Sequence, residues 1–134
     1  MNFKTEGAFT RWFCKTLEAT GTEVVAFVGS KMQVSGICDR YVCHPKFRGW
    51  LETKRNSNSV KPAQRLFMRR LVARGDTCVV VRYQSRPETV ELETHDGHAL
   101  GWLSLRVAYG MESDVERGKL FLEALRKAKE LLEK

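Results

Sequence analysis

The sequence contains no apolar run approaching the roughly 20 residues that cross a bilayer, which argues against a helical membrane protein. Its opening, Met-Asn-Phe-Lys-Thr-Glu, is polar and lacks the apolar stretch of an export signal, so the expected location is the cytoplasm. Proline occurs three times, and there is no low-complexity tract, long linker or internal repeat. One domain is expected of 134 residues. Cysteine is limited to Cys14, Cys38, Cys43 and Cys78. Cys38, Cys43 and His44 invite a zinc reading, but their spacing is not that of the close cysteine pairs of zinc sites, and no second pair follows. Reduced thiols on strands are the expectation.

The most informative scarcity is of acid. Between Arg40 and Gly75 only Glu52 opposes ten lysines and arginines, so this stretch carries +9 of a chain whose net charge is +7. The remainder sums to −2, and a basic middle on a near-neutral remainder points to a localised face for a polyanion.

Patterning predicts the elements around that stretch. Thr5 caps a helix to about Ala19, with Phe9, Trp12, Phe13 and Leu17 on one stripe, and Gly21 ends it. Glu23 to Val28 reads as a strand, Gly29-Ser30-Lys31 as a turn and Ile37 to Cys43 as a second strand. Pro45 and Gly49 bracket a turn before a third strand, Trp50 to Lys54. Pro62 opens a second helix that stops at Gly75, and Thr77 to Arg82 is a buried-type strand. Thr89 to Thr94 and Ala99 to Val107 flank Asp96-Gly97, a hairpin signal. Ser113 and Glu116 resemble a capping box for a last helix with Val115, Leu122, Leu125 and Leu132 among its apolar positions. The tail from about Arg86 is expected on the outside of the core.

Three acidic residues stand where packing does not call for them. Glu52 and Lys54 alternate on a strand, so they share a face with Trp50. Asp39 lies on the preceding strand, and neighbouring strands about 5 Å apart let Asp39 and Glu52 meet. Glu6 precedes Phe9 and Phe13 at helical spacing and faces inward. Such carboxylates, with the Thr53 backbone carbonyl, suit a hard divalent cation. Lys54 is then placed to orient or deprotonate a water, and to offset charge in the transition state. Taken singly, Asp39 and Glu52 are read first as partners of nearby arginines on an exposed sheet face. His95-Asp96-Gly97-His98 is read as a tight turn rather than a metal site. Trp50, Trp102 and Tyr109 are read as strand packing before base stacking.

Gly36-Ile37-Cys38-Asp39, Leu51-Glu52-Thr53-Lys54-Arg55 and Val60-Lys61-Pro62-Ala63-Gln64, in that order, resemble the VRR-nuclease branch of the PD-(D/E)xK superfamily. The resemblance covers about residues 5 to 83, and Cys38 stands where that branch has proline. It implies an α/β restriction-endonuclease-like core: helix, three strands, helix, strand. It implies Asp39 and Glu52 as ligands of magnesium or manganese, Glu6 as a ligand through water, Lys54 as the catalytic lysine and Gln64 as an active-site helper. Phosphate contacts are expected from Arg55, Lys61, Arg65, Arg69 and Arg70. The implied activity is hydrolysis of DNA phosphodiester bonds leaving 5′-phosphates. By further resemblance to stand-alone viral and phage members, it extends to branched or four-way DNA cut by a homodimer. A binding module without catalysis and an RNA-directed nuclease are the alternatives.

Overall fold

The computed structural model describes residues 2–26 and 40–134. Within them the chain forms α1 (Glu6–Glu18), β1 (Glu23–Ala26), β2 (Arg40–His44), β3 (Phe47–Arg55), α2 (Pro62–Ala73), β4 (Cys78–Ser85), β5 (Glu88–Glu93), β6 (Ala99–Ser104), α3 (Leu105–Tyr109) and α4 (Asp114–Leu132). The turn expected at Gly29-Ser30-Lys31 and the strand start expected at Ile37, Cys38 and Asp39 lie outside the described residues.

The strands form one sheet in the order β1-β2-β3-β4-β5-β6. All neighbours are antiparallel except β3 and β4, which run parallel. Parallel neighbours cannot be joined by a tight turn, so the connection crosses over through α2. The result is a mixed α/β fold, a mixed sheet flanked by helices.

Side-chain alternation divides the sheet into two faces. On one, Phe47 and Leu51 of β3, Val79, Val81 and Tyr83 of β4, and Val90 and Leu92 of β5 pack with Phe9, Phe13 and Leu17 of α1. Phe121, Leu122 and Leu125 of α4 complete this main core. On the other face Val60 and Met68 join Cys78 and Val80, with Trp50, Phe67 and Leu71 packed against them. Helix α2 therefore roofs β3 and β4, and among the described residues no helix covers the same face of β5 and β6. None of the described helices is long and apolar enough to cross a membrane.

Several expectations change. The tail is not outside the core: α4 lies along α1, and β5 and β6 extend the sheet. The closeness of the two helices is set at Gly118, where a Cβ would come within 2.1 Å of the Thr16 carbonyl oxygen. Strand β3 begins at Phe47, so Gly49 is not a turn residue but sits inside the strand. A Cβ there would meet the Thr77 carbonyl oxygen at 2.8 Å, the same oxygen that accepts the Trp50 N–H at 2.8 Å. Strand β6 ends at Ser104 rather than Val107, because the Ser104 hydroxyl accepts the Arg106 N–H and caps α3. Leu105 and Ala108, three apart, then turn into the core. Val115, expected on the apolar stripe of the last helix, is exposed.

Candidate nuclease site

The site grows from β3. Its odd positions Leu51 and Thr53 face the main core, so Trp50, Glu52 and Lys54 face α2. Glu52 is 1% exposed and Lys54 6%, which makes them a largely buried ionic pair. The Lys54 Nζ lies 3.4 Å from Glu52 Oε2, and Gln64 Nε2 donates to that same oxygen at 3.0 Å. Gln64 reaches it because Pro62 starts α2 two residues earlier, and because its own Oε1 accepts the Lys61 backbone N–H at 3.2 Å. Without such partners a buried carboxylate costs several kcal/mol.

Behind the strand the same segment is fastened to α1. The Thr10 hydroxyl donates to the Glu6 carbonyl oxygen at 2.8 Å, leaving Thr53 to donate to Thr10 at 2.7 Å. Glu6, half-buried at the start of α1, thereby lines the cleft that Glu52, Lys54, Lys61 and Gln64 open into, together with Asn58 and Ser59. That cleft has a volume of about 510 Å3.

Asp39 lies outside the described residues. The described ladder between β2 and β3 ends at Arg40 opposite Leu51, one residue short of Asp39 on one strand and of Glu52 on the other. Among the described residues no three His, Cys, Asp or Glu side chains are grouped to hold a metal, so the described carboxylates of the cleft are Glu6 and Glu52.

The cationic residues divide. Lys61, Arg65, Arg69 and Arg70 are exposed on or beside α2. Arg55 belongs to the opposite face, where its Nε donates to the Phe3 carbonyl oxygen at 3.0 Å. Two residues that sequence reasoning passed over do more to shape the cleft. Arg82 grips Glu93 through Nε at 3.1 Å and Nη2 at 3.2 Å. Its Nη1 donates to the carbonyl oxygens of Asn56 at 2.7 Å and Asn58 at 2.6 Å, which holds the loop forming one cleft wall. Asn56 takes the left-handed conformation (φ 52°) that asparagine tolerates, and its Oδ1 accepts the Ser85 N–H at 2.9 Å. An arginine ending the apolar run Cys78-Val79-Val80-Val81 was the available signal, since a half-buried guanidinium needs partners.

No protein-family model matches the chain, and no curated protein matches it. The site's own geometry therefore carries the functional reading.

Other sequence features resolve as structure. Thr94 to His98 form a tight turn with Gly97 at φ 87° and the Thr94 N–H bonded to the His98 carbonyl at 2.8 Å. The Thr94 hydroxyl bonds Asp96 and lowers its carboxyl pKa. Cys14 and Cys78 are buried and Cys43 is half-buried, whereas Cys38 lies outside the described residues. Trp50 packs edge-on to Phe67 and Tyr41, and Tyr109 packs against Trp12. Trp102, by contrast, is 70% exposed on β6.

Proposed function

We propose that the chain is a metal-dependent nuclease with a restriction-endonuclease-like core made of α1, β1 to β3, α2 and β4. The observation that carries the reading is the buried Glu52–Lys54 pair, bonded by half-buried Gln64 and opening on a cleft beside an exposed basic helix face. A buried ion pair is poor value as a stabiliser, since apolar residues of similar volume serve as well or better. Three polar side chains converging in a cleft are the arrangement that chemistry requires.

The described donors fit a hard cation, because the cleft offers carboxylate oxygens and no thiol or imidazole. In this reading Glu52, Asp39 and the Thr53 carbonyl hold magnesium or manganese, with Glu6 acting through a water. The ion supplies Lewis acidity toward the phosphate and a water of lowered pKa. Lys54 orients the attacking water and opposes the charge that develops on the phosphoryl oxygens. Gln64 fixes the rotamer of Glu52. Lys61, Arg65, Arg69 and Arg70 bind the flanking phosphates. DNA is the proposed substrate, and a homodimer the proposed form for cutting both strands of a branched substrate.

The test is a panel of linear, flapped and four-way DNA, with matched RNA, incubated with magnesium, manganese or EDTA. Cleavage that needs the metal and leaves 5′-phosphates supports the reading. Binding to these substrates without cleavage in either metal replaces it with a binding module. Cleavage of RNA alone moves the substrate.

A further inference from the structure

Four side chains form one straight row across the sheet. The strand registers place Lys54 beside Arg82, Arg82 opposite Glu91 and Glu91 opposite Trp102. Residues paired this way share a face, so the row runs from the candidate site over β4 and β5 to the edge strand β6. Neighbouring strands are about 4.8 Å apart, which puts Trp102 roughly 14 Å from Lys54. The outer part of this face is the part α2 leaves uncovered.

The chemistry changes along the row. Arg82 is fully engaged with Glu93 and with the Asn56 and Asn58 carbonyls. Beyond it come Glu91, Gln84 and an exposed indole, with Gln84 Nε2 3.4 Å from Glu91 Oε2. Glu91, Gln84 and Arg82 border a second cavity of about 270 Å3, which shares the wall residues Asn58 and Ser59 with the candidate cleft. Arg65 stands at its rim. Carboxylates repel phosphate, so the cavity floor is unsuited to backbone. A carboxylate accepts hydrogen bonds from exocyclic amines, as in acidic side-chain contacts to cytosine. An exposed tryptophan offers any base a stacking surface.

We infer that the uncovered face of β5 and β6 is a nucleobase subsite, where Trp102 stacks an unpaired base of the bound strand and Glu91 accepts from its exocyclic amine. This rests on the proposed nuclease reading and extends it, because the site then selects adenine or cytosine over thymine a few nucleotides from the scissile phosphate.

The experiment uses the intrinsic fluorescence of the full chain, titrated with twelve-residue oligo(dA), oligo(dC) and oligo(dT) in calcium. Oligo(dA) and oligo(dC) should quench the indole emission and bind more tightly than oligo(dT). Trp102→Phe should remove most of the quenching, and Trp102→Ala should weaken binding by about tenfold. Glu91→Gln should shrink the preference over oligo(dT), since an amide also donates. Equal binding of all three oligonucleotides, or Trp102→Ala binding them as the parent does, overturns the inference and leaves the nuclease reading standing. Base-selective quenching in a protein that cuts nothing upholds the subsite and overturns catalysis. No binding to any nucleic acid overturns both.

Discussion

Lys54 meets both sides of the site's energetics. Its removal leaves Glu52 buried without its cation, though still bonded by the Gln64 amide, and breaking such a pair costs about 3–5 kcal/mol. Folding of each variant is therefore checked by melting before rates are compared. Lys54→Ala should bind DNA in calcium nearly as the parent does and cut it at least about a hundredfold more slowly in single turnover. Lys61→Ala should instead lose affinity and keep its rate. Cleavage by Lys54→Ala at the parent rate would remove Lys54 from the catalytic role. A second residue-level prediction concerns the phenols around Glu88, whose Oε2 accepts from Tyr83 at 2.7 Å and from Tyr109 at 2.9 Å. Burial first, and the bond to Glu88 second, raise both phenols above the ordinary tyrosine value. Groups with raised folded values stabilise fully below the unfolded pKa and lose that contribution as pH climbs through the folded one. Stability should therefore fall above about pH 10. The Tyr83→Phe, Tyr109→Phe double variant should start lower and decline less steeply over the same range, as read by thermal melts across pH.

At the scale of elements, α2 is the proposed phosphate-binding helix and α4 is not. Charge reversal at Arg69 and Arg70, exposed on α2, should weaken DNA binding and flatten its salt dependence by about one unit of slope per lost phosphate contact. The same change at Lys127 and Lys129 of α4 should matter little, and equal effects at both places would refute a localised face. Helix α4 has a different vulnerability. Gly118→Ala puts a methyl where the Thr16 carbonyl stands and should cost about 1–3 kcal/mol, a fall in Tm of roughly 5–10 °C by calorimetry. Elements were readable where local signals agreed with packing. The Phe9–Phe13–Leu17 stripe, Pro62 at a helix start and Asp96-Gly97 at a turn each satisfied both. The reading failed where a tertiary contact overruled the local one. Gly49 reads as a turn signal, but its reason for being glycine is the backbone carbonyl of Thr77, distant in sequence, which a Cβ would meet at 2.8 Å. Leu105 to Tyr109 carries strand-like residues, yet the Ser104 cap and burial of Leu105 and Ala108 make it a helix.

For the whole molecule, what alternation reveals is which residues share a strand face, and that sufficed to set Glu52 and Lys54 together. What it does not reveal is the order of strands beyond the first hairpins, so Arg82, Glu91 and Trp102 carried no sequence signal linking them to Lys54. The tail was misplaced for a related reason. Leu122 and Leu125 announce an amphipathic helix, but nothing local says that its partner is the helix at the other end of the chain. That pairing has a consequence for how the protein comes into being. The site strand β3 is fastened to α1 through Thr53 and Thr10, and α1 in turn is packed by α4, which is synthesised about a hundred residues after it. Loop closure over such a separation is slow, and apolar surface waits exposed until it happens. During synthesis Phe9 and Phe13 have no Phe121 to meet, so β3 lacks its final backing. A nascent chain accordingly holds Glu52 and Lys54 without the rigid backing of the folded site, and the proposed activity should arrive only once α4 has packed on α1.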